Sequence, residues 1–255
     1  MVTSAFEELL AEGAAVPVDG WDFSWFDGRA TEERPAWGYS RLVSQRMAHA
    51  RSALDVQTGG GEVLAGIEVV PPRLAATESW PPNVPIARRA LAPLGASVHQ
   101  VADDAPLPFD DGSFDLVVSR HPTVTVWSEI ARVLEPGGTY LSQQVGPLTA
   151  PELTRAMLGQ DVTLTPRSPG VAVTAAREAG LDVVDLRTQE LRLAFVDVAA
   201  VVHYLRKVVW IVPGFSVERF RPQLLTLHQQ IEESGELVAH TGRFLVEARK
   251  PDRSR

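Results

Sequence analysis

The chain has 255 residues, of which 45% are hydrophobic and 22% charged, with no cysteine and a formal net charge of −8. That length and apolar content suit one large α/β domain with insertions, or two small domains. The charge gives no general attraction to phosphodiester backbones, so a nucleic-acid partner would need a local basic patch; the lack of cysteine excludes disulfides, thiolate metal sites and a cysteine nucleophile.

Glu7, Glu8 and Glu12 interrupt the first apolar stretch and no basic region precedes a long apolar run, so no secretory leader is expected. No run approaches the roughly 18 uninterrupted apolar residues of a membrane span, and a cytoplasmic location is the default expectation. A short amphipathic helix is predicted over 4–13. The aromatic run WDFSWFDGR follows at 21–29, and Trp37 and Tyr39 continue it. Aromatic residues this dense are expected to plug a groove of their own domain. A second helix over 39–51 leads into the stretch ALDVQTGGGEVLA at 53–65.

That stretch reads as a buried strand, a turn at Gly59-Gly60-Gly61, and a helix beginning near Glu62. Glycines in such a turn let a ligand lie against bare backbone, with helix N–H groups facing its negative charge, although a triple glycine is also a plain tight turn. Strands are then predicted at 73–77, 97–102, 114–119, 139–145, 181–186 and 243–248. Helices are predicted between them at 85–94, capped by Asn83, at 124–134, stopped by Pro136-Gly137-Gly138, and at 168–179. The alternation specifies an α/β fold with a parallel sheet covered by helices on both faces.

About fifty residues separate the last two strands, and they contain helical stretches at 196–209 and 217–233 around a break at Pro213-Gly214-Phe215. The expected organisation is a helical and aromatic cap at 1–50, a Rossmann-like domain at 51–186 and 241–250, and a helical insertion at 187–240. The insertion reads as a lid or as a homodimer contact. His203 and Tyr204, with Arg206 and Trp210 nearby, are read as packing residues of that insertion. Residues 251–255 read as a disordered end.

In an open parallel sheet, ligands bind beyond the carboxyl ends of the strands, where strand order reverses. That rule selects Gln57 to Gly61, Glu78 with Ser79, Asp103 with Asp104, and Arg120 with His121. Glu78 lies about twenty positions beyond the glycine turn, the usual place for a ribose-binding carboxylate. No histidine pair has metal-ligand spacing, so no metal is expected. There is no G-x-S-x-G turn, and the glycine turn lacks the Lys-Ser/Thr ending of a phosphate-binding loop.

The runs LDVQTGGGEVL, Glu78, VADDAPLPFDDGSFDLVVSR and EIARVLEPGGTYL, in that order, resemble the successive motifs of class I S-adenosylmethionine-dependent methyltransferases, especially the type 11 group. The aromatic amino-terminal region, QQVG at 143–146 and the WIVPGF turn resemble a bacterial branch of that group. The resemblance implies a Rossmann-like, seven-stranded, mostly parallel sheet whose last strand is antiparallel. It also implies S-adenosyl-L-methionine as cofactor, S-adenosyl-L-homocysteine as product and a small-molecule acceptor.

By the same resemblance, Asp55 would approach the methionine amino group, and the backbone of Gln57, Thr58, Gly59, Gly60 and Gly61 would line the methionine and ribose. Glu78 would take the ribose hydroxyls and Ser79 would border the adenine. Asp103 would accept from the adenine amine, with the Asp104 and Ala105 backbone near the ring. Ser119, Arg120 and His121 would lie near the sulfonium. His121 is the candidate general base, or alternatively a cap for the next helix. Gln57 stands where the family most often has glycine. It either turns aside or intrudes on the cofactor, which keeps a non-catalytic binding protein as an alternative. An RNA methyltransferase is a third reading, and it requires a basic surface beside the crevice.

Overall fold

In the computed structural model, residues 2–18, 23–160 and 167–252 are described. Trp21, at the head of the aromatic run, and residues 253–255 of the predicted disordered end lie outside the described residues. The elements in chain order begin with α1 (Val2–Ala15), β1 (Ala30–Glu32), α2 (Tyr39–Met47), β2 (Ser52–Asp55) and α3 (Glu62–Ala65). Next come β3 (Arg73–Glu78), α4 (Asn83–Leu91), β4 (Ser97–Gln100), β5 (Phe114–Arg120), α5 (Trp127–Val133) and β6 (Leu134–Thr149). The chain ends with α6 (Pro151–Leu158), α7 (Pro169–Glu178), β7 (Asp182–Phe195), α8 (Val198–Lys207), α9 (Val217–Ser234) and β8 (Leu237–Arg249).

Two compact units are formed: residues 35–145, 165–189 and 243–255 make the larger, and residues 1–34, 146–164 and 190–242 the smaller. In the larger unit the strand order is β7-β8-β6-β5-β2-β3-β4. β2 pairs in parallel with β3 through Leu54↔Ala75 and with β5 through Leu54↔Val117, while β3 pairs with β4 and β5 with β6, also in parallel. The chain therefore builds outward from β2 to β4, then returns to lay β5 on the other side of β2. The strand order reverses between β2 and β5, which is where such sheets open a ligand crevice.

Residue alternation along these strands builds two cores. Leu54 and Val117 face one side, against Trp127, Ile130 and Ala176 of α5 and α7. Ala53, Leu116 and Val118 face the other, against Val43, Leu64 and Leu91 of α2, α3 and α4. A strand with apolar residues at successive positions is buried on both faces, and this sheet is covered by helices accordingly. Trp37 and Tyr39 lie in the second core, 5% and 6% exposed, as packing residues of their own unit.

The smaller unit has its own core. α1, α6, α8 and α9 enclose Phe6, Leu10, Leu153, Val201, Leu205, Phe220 and Leu224. Phe26 from the aromatic run is buried here, and His203 lies between Trp25 and Phe26, with ring centroids 5.0 and 4.9 Å away. Burial, then the nearby Lys207 and Arg206 charges, lower the His203 pKa to about 4. It is a neutral packing ring, as expected.

Several expectations change. The sheet has eight strands because the short β1 adds to β7, antiparallel, with Ala30 opposite Phe195. β7 is antiparallel to its neighbours and runs to Phe195, so residues 187–195 are strand and not helical insertion. The polar run Arg187-Thr188-Gln189-Glu190 in its middle hid its length in the sequence. α6 was also missed: Pro151 at its first turn is a start signal, but the helix is only eight residues long. Asn83 is the first helical residue of α4 and not its cap. Pro136-Gly137-Gly138 lies inside β6, with α5 already ended at Val133, and the register against β5 shifts between Phe114 and Leu116. A Cβ on Gly138 would come within 2.9 Å of the Glu135 carbonyl oxygen, so the shift needs glycine there.

Candidate functional site

All the predicted site residues belong to the larger unit. After β2 the chain turns with Gln57 in the left-handed region, φ 59°, followed by Gly59 at φ 66° and Gly61 at φ 86°. Two backbone groups tie the turn to β3: Gln57 N–H donates to Thr77 Oγ1 at 3.2 Å, and Thr58 N–H to the Thr77 carbonyl at 2.9 Å. α3 is a single turn of four residues, and the amides of Gln57, Thr58, Gly59 and Gly61 in the turn before it are all bonded within the protein.

Glu78, at the end of β3, is 6% exposed, and its carboxylate accepts from Gly59 N–H at 2.8 Å and Trp80 N–H at 2.9 Å. Burial raises its pKa, and the two amide donors partly offset that. Asp55, also buried, accepts from Thr58 Oγ1 at 2.7 Å. Burial first, then the neighbouring Glu78 and Glu62 charges, lift its pKa to about 7 despite the Thr58 bond. Three carboxylates thus crowd one turn, a local field suited to a cation.

The far wall comes from the segment between β5 and α5. Thr123 N–H donates to Gln57 Oε1 at 2.7 Å, Gln57 Nε2 donates to the Val124 carbonyl at 2.7 Å, and Thr123 Oγ1 lies 3.1 Å from Gln57 Oε1. The Thr123 hydroxyl also bonds the Asp103 carboxylate through Oδ2. A hydroxyl has one proton, and the charged acceptor takes it. Asp103 Oδ1 is buried with no hydrogen-bond partner among the described residues. These groups enclose a cavity of about 20 Å³ lined by Val56, Gln57, Asp103, Ala105, Val124 and Tyr140, among others. Below it, Arg132 holds the 105–113 loop to α5 by donating to Glu129, Asp111 and the carbonyls of Leu107 and Phe109.

His121 follows β5 in a left-handed conformation, φ 55°. Its Nε2 is 2.9 Å from Gln143 Nε2, while Gln143 Oε1 accepts from Trp37 Nε1 at 2.8 Å. An indole N–H can only donate, so the amide nitrogen of Gln143 faces the imidazole and donates to it. His121 Nε2 is then an occupied acceptor and the ring proton sits on Nδ1. Burial, then the Arg243, Arg120 and Arg167 charges, lower its pKa to about 3. In this geometry Nε2 is occupied and Nδ1 is left as a hydrogen-bond donor.

The other predicted residues divide. Ala105 lines the cavity. Ser79 is half-buried after β3, and Asp104 and Arg120 are exposed. Ser119 is fully buried, bonded to Tyr140 at 2.7 Å and Ser142 at 2.9 Å, and reaches the cavity wall through Tyr140. Thr123, Gln143 and Trp37 were not selected from sequence. Gln143 carried the one usable signal, a polar residue at a strand position where a covered sheet calls for an apolar one.

Residues 54–142 match the family model described as a methyltransferase domain. The likeness is to methyltransferases. The matched segment runs from β2 to β6 and contains the turn, Glu78, Asp103 and His121, so the type 11 resemblance and the crevice coincide. No curated protein matches the sequence.

Solved structures share the methyltransferase fold at low identity. A protein from Bacillus halodurans C-125, described as a candidate methyltransferase, has a TM-score of 0.58 and 17% identity over 82% of this chain and 98% of its own. A functionally unknown protein from Deinococcus radiodurans R1 gives 0.60 and 14% over 97% and 99%. The [4+2]-cyclase SpnF gives 0.52 and 18% over 98% and 94%. The last is named for a cyclisation, so the shared fold does not by itself define the reaction.

Proposed function

We propose that the chain is an S-adenosylmethionine-dependent methyltransferase acting on a small-molecule acceptor. The observation that carries this reading is Asp103 Oδ1, a buried acceptor lacking a partner among the described residues, at the wall of a cavity beside the glycine turn. An exocyclic adenine amine is the donor such an oxygen suits. Glu78 accepts from the Gly59 and Trp80 amides and from the Asn83 side chain, and with its remaining lone pair would hold a ribose hydroxyl. Asp55 would face the methionine ammonium, whose positive charge would favour its ionised form.

When bound, the cofactor supplies a methyl group already activated by its sulfonium. The protein's part is to orient the acceptor and exclude water. His121 would orient it by donating from Nδ1, and with a pKa of about 3 it would not remove a proton near neutrality. The acceptor atom on this reading is nucleophilic without a protein base. Calorimetric titration with S-adenosylhomocysteine tests the reading. Binding is expected in the wild type, weakened about tenfold or more by Asp103→Asn and by Glu78→Gln. No heat at millimolar ligand, in the wild type and in Gln57→Gly alike, would remove it.

A non-catalytic binding protein remains the second reading, because Gln57 spans the crevice. Ligand binding by Gln57→Gly and not by the natural sequence would favour it.

A further inference from the structure

The two strand ends that face each other across the point of strand reversal, after β2 and after β5, each carry a non-glycine residue in the left-handed region: Gln57 and His121. Backbone held there by ordinary side chains is strained and persists where surrounding bonds enforce it. His121 is held by its amide bond to the Gln143 carbonyl, and the Gln57 side chain by bonds that run between the two strand ends. The Gln57 amide uses its oxygen for Thr123 N–H and its nitrogen for the Val124 carbonyl, and the Thr123 hydroxyl is in turn spent on Asp103. The proposed adenine-binding carboxylate therefore has one oxygen occupied, and the cavity beside it, about 20 Å³, holds little more than a water.

We infer that Gln57 is a latch: it holds Thr123 against Asp103, and a nucleoside cofactor is admitted when that latch releases. This rests on the methyltransferase reading above. Release is accessible because Thr123 and Val124 are exposed, so water can replace each bond as it opens. Freeing Thr123 gives Asp103 both oxygens and separates the β5–α5 segment from the turn. The amide that closes the crevice occupies a position where bare backbone would leave it open. Cofactor association then follows opening, and its observed rate levels off at the opening rate as ligand concentration rises.

Two measurements on wild type and Gln57→Gly test this. Glycine accepts φ 59° without strain, so the variant keeps the turn. In the ligand-free protein, hydrogen exchange of the Thr123 amide is expected to accelerate about tenfold or more in the variant, since its acceptor is gone. Stopped-flow mixing with S-adenosylhomocysteine, followed by tryptophan fluorescence, is expected to show a levelling rate in the wild type. In the variant the rate should rise without that limit, with affinity about tenfold tighter. Thr123→Val, which keeps the amide and removes the hydroxyl, should move affinity in the same direction by less.

Unchanged Thr123 exchange in Gln57→Gly would overturn the latch whatever the ligand result. Weaker binding by the variant would overturn it too, since Gln57 would then be a cofactor contact. Faster exchange with no ligand bound by either protein would instead remove the methyltransferase reading, and the gating role with it.

Discussion

Asp55 is the residue whose ionisation bears on stability and, on the proposed reading, on binding as well. Its pKa rises from 3.8 to about 7 on folding, so between these values the native state holds a proton that the unfolded chain has lost. Stability from this group therefore falls as pH rises from about 4 to 7. Asp55→Asn keeps an oxygen for the Thr58 hydroxyl and removes the buried charge. It is expected to raise the melting temperature relative to wild type at pH 8, with the difference shrinking by pH 5; calorimetry at both values checks this. The same variant should weaken S-adenosylhomocysteine, because the ammonium loses its partner. At His121 the sign is opposite: the ring stays neutral above about pH 3. The pH–rate profile of methyl transfer should show no limb from this residue between pH 5 and 9. A limb near 6.5 that disappears in His121→Asn would restore the base role.

At the scale of elements, the site depends on where α5 begins. Residues 124–126 have helical periodicity but stay out of the helix, which starts at Trp127, and the Val124 carbonyl accepts from Gln57. α5 also anchors the 105–113 loop through Arg132. Arg132→Ala is expected to leave the far-ultraviolet circular dichroism unchanged while speeding exchange of the Leu107 amide and weakening S-adenosylhomocysteine. In the smaller unit, Ser216 Oγ accepts from Arg219 N–H at 3.2 Å as the cap of α9. Ser216→Ala should cost about 1 kcal/mol by denaturant unfolding, and no more, since this helix has a large buried face.

For the whole molecule, the cores around the sheet and around α8 share no residue. Every proposed cofactor residue belongs to the larger unit. Leu224→Ala, deep in the smaller core, should therefore cost about 2–5 kcal/mol of stability yet leave S-adenosylhomocysteine affinity within about twofold. A tenfold loss of affinity would mean that the two units are coupled through the three strands, β6, β7 and β8, that contribute residues to both. Among the described residues no helix is long and apolar enough to cross a membrane, and no group of His, Cys, Asp and Glu residues could hold a metal ion.

The amino-acid order alone determined the α/β alternation, the strand that precedes the glycine turn, and the places of Asp55, Glu78 and Asp103. These follow from local periodicity, turn-forming residues and spacing, which are properties of neighbouring positions. Only the tertiary structure shows that the Gln57 amide bonds Thr123 and Val124, that Ser119 bonds Tyr140 and Ser142, and that Gln143 meets the His121 ring. The reason is distance along the chain: Gln57 meets Thr123 across 66 residues, and the tautomer of His121 depends on Trp37 acting through Gln143, 106 residues away. A single residue type can serve as base, donor or latch, and the partner that selects among these is brought to it only by the folded sheet.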